Sequence, residues 1–143
     1  MNNEEVREWM EIADSDFDSA QILNDATRKH YEIICYHCAQ AAEKYLKGYL
    51  VYHDVVPRKT HDLSFLNNLC IEKDGTFTDI QALCDFLTTF ATDTRYPNKY
   101  EVTESDVSIS LNAVEKIKNF KSILNLRDII SESDDELKTI IKR

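Results

Sequence analysis

Apolar residues recur at three- and four-residue steps along most of the chain. This spacing is typical of amphipathic helices, which turn one apolar face toward a core. It predicts a first helix over residues 3–25, a central helix from about residue 30 to about residue 53, a third after Thr60, a fourth from Phe77, and a long helix from Thr103 through Leu124. Thr60 and Thr103 are the predicted N-caps, because a threonine hydroxyl accepts a bond from the first turn. The acidic stretch SESDDE at 131–136 is expected to interrupt the last helix.

The predicted central helix carries two distinct faces. Its apolar face, which we expect in the core, consists of Ile34, Cys38, Ala41, Ala42, Tyr45, Tyr49 and Tyr52. On a neighbouring face, the side chains of His37, Gln40, Lys44 and Lys47 fall within about 80° of one another around the helix axis. This polar stripe is the strongest functional candidate in the pattern.

Composition narrows the fold class. The 143 residues include only two Gly and two Pro, which leaves little turn chemistry for a many-stranded sheet. We therefore predict an all-α protein, an antiparallel up-and-down bundle of four main helices plus a short helix. The bundle should occupy residues 1–125, with 126–143 a C-terminal helical extension packed on the bundle or on a partner.

Charge and targeting signals limit the classes of partner. A formal net charge of −9 argues against general DNA or RNA binding, because the nucleic-acid backbone would be repelled. The sequence shows no targeting segment and no apolar run long enough to span a membrane, so we expect a cytoplasmic protein with no membrane contact. Cys35 and Cys38 form a C-x-x-C pattern inside a periodic helix, where reduced buried thiols are the better interpretation.

Cationic residues around the central helix suggest an anion site. Lys44 and Lys47 lie on the polar stripe, His61 starts the third helix, and Arg95 follows the fourth. If they meet, they form a basic patch in an acidic protein, which suits a ligand phosphate. An alternative stays open, in which the lysines are solvated and paired with Glu43 or aspartates, His61 satisfies a bundle end, and Arg95 with Tyr96 clamps a loop.

Three separated blocks identify a family resemblance. The blocks are AQAAEKYLKGYL at 39–50, PRKTHDL at 57–63 and ATDTRYP at 91–97. In this order they resemble the HEPN domain family (higher eukaryote and prokaryote nucleotide-binding), over roughly residues 5–125. The resemblance implies an antiparallel helical bundle that often dimerises and is frequently paired with a small nucleotidyltransferase. It also implies one of two activities, nucleotide binding or metal-independent RNA cleavage in toxin and defence branches.

The ribonuclease motif of that family is incomplete here. It joins an arginine, after four to six residues, to a histidine; Arg95 matches the arginine, but positions 100–102 are Tyr, Glu and Val. A general acid or base of suitable pKa is thus missing from that place. We therefore lean against an enzyme, and assign no catalytic residue, metal or cofactor beyond a nucleotide ligand.

The resemblance then implies a non-catalytic nucleotide- or phosphate-binding domain that acts with a partner such as a nucleotidyltransferase. Lys44, Lys47 and Arg95 would supply phosphate charge, Gln40 and His61 hydrogen bonds, and Tyr96 stacking or packing. The alternatives are an RNA-cleaving toxin with an atypical acid or base such as His61, and a dimer module for protein interaction, antitoxin-like. A homodimer is expected, because one buried face cannot hide five tyrosines on one helix, Tyr31, Tyr36, Tyr45, Tyr49 and Tyr52.

Overall fold

The computed structural model describes the backbone of residues 3–92 and 101–142, and their side chains except those of 133–138 and 142. The described chain contains six α-helices and one 3₁₀ helix and no β-strand. They are α1 Asn3–Asn24, α2 Tyr31–Tyr52, α3 Leu63–Lys73, the 3₁₀ helix Gly75–Ile80, α4 Gln81–Thr88, α5 Glu104–Lys118 and α6 Lys121–Lys142. The predicted all-α bundle is confirmed, and so is the extent of the central helix.

Helices α1 and α2 form an antiparallel pair at the centre of the bundle. A Cβ atom placed on Gly48 would lie 3.4 Å from the Sδ atom of Met10. Further along α1, Asp14 accepts a hydrogen bond of 2.5 Å from the hydroxyl of Tyr45. Residues with higher numbers in α1 therefore meet residues with lower numbers in α2, as in an antiparallel pair. Gly48 lets the two helices approach closely.

The predicted apolar face of α2 does form the core. Six of its seven members are buried and Tyr52 is half-buried; the buried ones are Ile34, Cys38, Ala41, Ala42, Tyr45 and Tyr49. Around this face pack α1, α3, α5 and the first half of α6. The polar stripe consequently lies at the border between this core and the surface.

The four cysteines are free, buried thiols, as the sequence predicts. Burial raises the pKa of the Cys35 thiol to about 11, so this group stays protonated at neutral pH. A neutral thiol is a poor nucleophile and a poor metal ligand. The C-x-x-C pattern is thus part of the packing of α2.

Two helix starts illustrate how capping works in this chain. Thr103 caps α5 as predicted: its hydroxyl accepts from the backbone N–H of Asp106, whose carboxylate accepts from the backbone N–H of Thr103. The prediction for α3 was wrong by two residues, since Asp62 is its cap and accepts from the N–H of Phe65 at 3.1 Å. The hydroxyl of Thr60 instead accepts from the N–H of Asp62.

The predicted fourth helix is divided in the structure. Asp74 caps a 3₁₀ helix by accepting from the N–H of Thr76 at 3.0 Å. Phe77 and Ile80, expected in the helix, are buried from this 3₁₀ segment, and α4 begins only at Gln81. The tighter 3₁₀ turn suits a short connector between two α-helices.

The predicted long helix from Thr103 through Leu124 is also divided. The observed helix α5 ends at Lys118, and α6 begins at Lys121. The ring of Phe120, in the break, packs against Phe77 with centroids 4.9 Å apart. The expected interruption at 131–136 does not occur, because the backbone of α6 is helical through these residues.

Polar side-chain contacts help to attach α6 to the bundle. Arg127 donates two hydrogen bonds to Asp14, of 2.9 and 2.5 Å, in a fork-to-carboxylate arrangement. Near the start of α6, the hydroxyl of Ser122 donates to Asp74 at 2.5 Å. Within residues 3–92 and 101–142, no helix combines the length and apolarity that crossing a membrane requires.

Candidate functional site

A buried carboxylate lies in the middle of α2. Glu43 is only 1% exposed, although glutamate is rarely buried in proteins. The buried residues Ala39, Leu46 and Leu50 lie four, three and seven positions away from Glu43 along the helix, so they share its side of the helix. A carboxylate in such a place needs partners, because burying an unpaired charge is very costly.

Three side chains supply those partners. The ammonium groups of Lys47 and Lys44 lie 3.0 and 3.1 Å from Oε2 of Glu43. The imidazole Nδ1 atom of His61 lies 2.6 Å from Oε1. Because an ionised carboxylate only accepts, Nδ1 of His61 carries the proton and donates it.

Local geometry explains how these groups meet. Lys47 follows Glu43 by four residues, a spacing that places both on one face of a helix. His61 comes from the loop between α2 and α3. This loop starts at Asp54, whose φ of 60° lies in the left-handed region that aspartate tolerates. The chain thereby turns back beside α2 and reaches Glu43.

Charge and burial act against each other at Glu43. Burial raises the pKa of its carboxyl, but the hydrogen bonds from His61 and Lys47 and the charge of Lys44 outweigh this effect and hold the pKa below its ordinary value. Glu43 is therefore ionised at neutral pH. Two ammonium groups face this one carboxylate, so the cluster of Glu43, Lys44, Lys47 and His61, here called the cationic cluster, carries excess positive charge.

Members of the cationic cluster differ in their access to solvent. The Lys47 side chain is 7% exposed, and its ammonium lies 5.7 Å from the centre of the Trp9 ring. Lys44 is 16% exposed and His61 56%. Lys44 and His61 are thus the groups that a ligand could contact, while the Lys47 ammonium contributes its positive charge from a buried position.

The stripe continues past Lys44 toward α1. Oε1 of Gln40 accepts from Lys44 at 2.8 Å, whereas Nε2 of Gln40 is buried without a partner among the described residues. One turn further, His37 lies 3.9 Å from Asp16. Burial raises the pKa of the Asp16 carboxyl, although Lys44 and His37 lower it in part. Hydrogen-bonding capacity is therefore unused beside Lys44.

A family assignment follows from comparison with known proteins. The sequence profile of the HEPN domain family matches residues 6–124, which is most of the chain. The chain belongs to the HEPN domain family. The match includes the whole cationic cluster and ends within the first turns of α6.

Solved structures include a similar protein. The crystal structure of an archaeal HEPN homologue superposes with a TM-score of 0.64 and 25% sequence identity, covering 87% of this chain and 97% of the homologue. No curated protein matches the chain by sequence. The bundle described above is thus a HEPN fold over nearly all of that homologue's length.

This HEPN domain brings together four of the six residues predicted to bind a ligand, namely Gln40, Lys44, Lys47 and His61. The other two, Arg95 and Tyr96, lie outside the described residues. The alternative in which both lysines pair with Glu43 is confirmed as a set of contacts, but Lys47 is not solvated. Within the cluster two lysines face one carboxylate, and Asp16 is a second carboxylate close enough to interact with Lys44.

Sequence reasoning missed the central role of Glu43, which it treated only as a surface partner for lysine. The signal was present: Glu43 has small or apolar residues one, three, four and seven positions away on the side of α2 that packs. A charged residue at such a position predicts a buried, paired group. In the described part of the domain, no group of three or more His, Cys, Asp or Glu is placed to hold a metal ion.

Proposed function

We propose that this HEPN domain is a non-catalytic nucleotide- or phosphate-binding domain that acts with a partner such as a nucleotidyltransferase. The observation that carries the proposal is the cationic cluster, in which two ammonium groups and an imidazole surround one buried carboxylate. In an acidic protein, this local excess of positive charge favours an anion.

The contacts suggest how a phosphate would bind. The Lys44 ammonium has three donors, of which Gln40 and Glu43 take two. His61 donates through Nδ1 to Glu43, so its Nε2 atom on the exposed edge can donate to a phosphate oxygen when the ring is protonated. Glu43 fixes both groups before the ligand arrives, which lowers the entropic cost of binding.

Calorimetry with ATP, GTP and inorganic tripolyphosphate tests this proposal. We expect binding that weakens as salt is added, since exposed charges are screened. Lys44→Ala should weaken it about 10- to 100-fold, the usual effect of losing a charged hydrogen bond. Lys73→Ala, which removes an exposed lysine from the end of α3, is the matched control. Absence of binding to the wild-type domain at millimolar ligand would refute the proposal.

The partner is tested separately. Where a nucleotidyltransferase gene neighbours this one, co-expression of the two chains followed by size-exclusion chromatography should yield a complex. Two separate peaks for the co-expressed chains would remove the partner from the proposal and leave nucleotide binding to be judged by calorimetry.

One observation favours RNA cleavage as a second candidate. His61 is held by a buried carboxylate through Nδ1, which leaves Nε2 as an acceptor for a proton when the ring is neutral. Histidines oriented in this way serve as general bases in many enzymes. Incubating the domain with RNA in EDTA tests this: cleavage that disappears in His61→Ala supports it, and intact RNA at high protein concentration rejects it.

A further inference from the structure

A cavity lies at the C-terminal end of α2, where the loop toward α3 begins. Its volume is about 370 Å³, within the range of about 300–1,000 Å³ that is usual for small-molecule sites. The lining residues are Glu5, Val51, Asp54, Val55, Val56 and Pro57.

The cavity and the cationic cluster lie on the same side of α2, next to α1. Val51 follows Lys47 by four residues, so both lie on one face of α2. Glu5 precedes Trp9 by four residues on α1, and the Trp9 ring lies beside the Lys47 ammonium. From Lys44 to Val51 the helix rises about 10 Å. This span is comparable to the distance between the terminal phosphates and the base of a nucleotide.

The lining combines two kinds of surface. Val51, Val55, Val56 and Pro57 offer aliphatic contact, which suits the faces of a flat ring. Glu5 and Asp54 offer carboxylate oxygens, which repel phosphate and accept hydrogen bonds from N–H groups. Both residues take part in other interactions as well, and a carboxylate has about four acceptor sites.

We propose that this cavity binds the base of a nucleotide whose phosphates lie over Lys44 and His61, and that Glu5 and Asp54 favour guanine over adenine. Guanine presents a ring N–H beside an amino group, a pair of donors that matches one carboxylate. Adenine presents its amino group beside a ring nitrogen that only accepts, which a carboxylate repels. The inference rests on the proposed nucleotide-binding function.

The test compares three ligands on the full chain by calorimetry at equal ionic strength. GTP should bind at least about 10-fold more tightly than inorganic tripolyphosphate, and about 10-fold more tightly than ATP, the size expected when a site's hydrogen bonds fit one base. Glu5→Gln should reduce the preference for GTP over ATP. It should change tripolyphosphate affinity by no more than about twofold, because the distance from the cluster leaves the charge screened.

Two further variants keep the test independent of folding. Asp54→Asn should also reduce the preference, and asparagine tolerates the positive φ at this position. Glu8→Gln, at an exposed site on the same helix, should leave all three affinities as in the wild type. Thermal unfolding of each variant confirms that it is folded.

The outcomes separate the two proposals. If tripolyphosphate binds as tightly as GTP, the cavity does not bind the base, while phosphate binding stands. If GTP and ATP bind equally, or if neither Glu5→Gln nor Asp54→Asn changes their ratio, the carboxylates do not select guanine and the inference is wrong. If none of the three ligands binds, the proposed function fails as well.

Discussion

The Nδ1 atom of His61 lies 2.6 Å from the Oε1 atom of Glu43. This contact joins a half-exposed residue of the loop before α3 to a carboxylate buried in α2. A ligand that touches His61 is therefore only one side chain away from the interior of the bundle. Stability and ligand binding should consequently both depend on Glu43.

Glu43→Gln tests the structural part of this dependence. The substitution keeps the shape but removes the charge that neutralises the buried Lys47 ammonium. We expect the free energy of unfolding to fall by about 3 kcal/mol, the lower end of the cost of breaking a buried ion pair. Urea unfolding measures the change. Glu72→Gln, at an exposed site on α3, should have little effect, and equal losses in the two variants would contradict the role of Glu43.

The pair between Asp14 and Arg127 predicts a pH dependence. Burial raises the pKa of Asp14, but hydrogen bonds from Arg127 and Tyr45 outweigh this and hold it below 3.8. A carboxyl group whose pKa is lower in the folded state than in the unfolded state stabilises the fold at pH values above its unfolded-state pKa. This stabilisation is lost as the pH falls through the folded-state pKa.

The measurement compares the wild type with Asp14→Asn. Asp14 is 38% exposed, so solvent screening limits the expected loss at pH 7 to about 1 kcal/mol. The difference should shrink as the pH falls below 3.8. Asp18→Asn, exposed on the same helix, provides the baseline. A difference that stays constant from pH 7 to pH 2 would show that the charge of Asp14 is not responsible.

The N-cap of α5 gives a prediction that does not involve the site. Thr103→Ala removes the hydroxyl that accepts from the N–H of Asp106. Caps of this kind contribute about 1 kcal/mol to stability. We expect a loss of that size in urea unfolding and none for Ser105→Ala, an exposed residue of the first turn. A null result for Thr103→Ala would mean that solvent replaces the cap.

The homodimer stays a prediction, but its basis changes. None of the five tyrosines of α2 is exposed, because Tyr45 and Tyr49 are buried and Tyr31, Tyr36 and Tyr52 are half-buried. The single bundle therefore hides them without a partner. Large apolar side chains that it leaves exposed include Ile22, Ile140 and Ile141. We expect light scattering to give twice the chain mass of 16.6 kDa, and the monomer mass at micromolar concentration would reject the dimer.

Sequence periodicity predicted the first two helices well. The central helix was correct to within about a residue at each end, because its apolar positions repeat over six turns. The break at Asn119 and Phe120 was missed, since neither Gly nor Pro marks it. The break is decided by tertiary packing, where the Phe120 ring contacts Phe77, and no local pattern encodes that contact.

Sequence reasoning found the part of the candidate site that a local pattern encodes. The stripe of Gln40, Lys44 and Lys47 follows from helix geometry alone. His61 was associated with it through the family resemblance and through chemistry, and the loop that begins at Asp54 brings it there. The buried position of Glu43 depends on which face of α2 is covered by its neighbours, which the sequence indicates only when charge and packing are considered together.

Gly48 sets how closely α1 approaches α2 beside the cationic cluster. With no side chain, it allows Trp9 and Met10 of α1 to lie directly against α2. An added methyl group would just touch both residues, whereas a branched side chain would act as a wedge and push α1 outward. Because Trp9 also borders Lys47, side-chain size at this one position offers a graded control over the space beside Lys47 that leaves every charge in place.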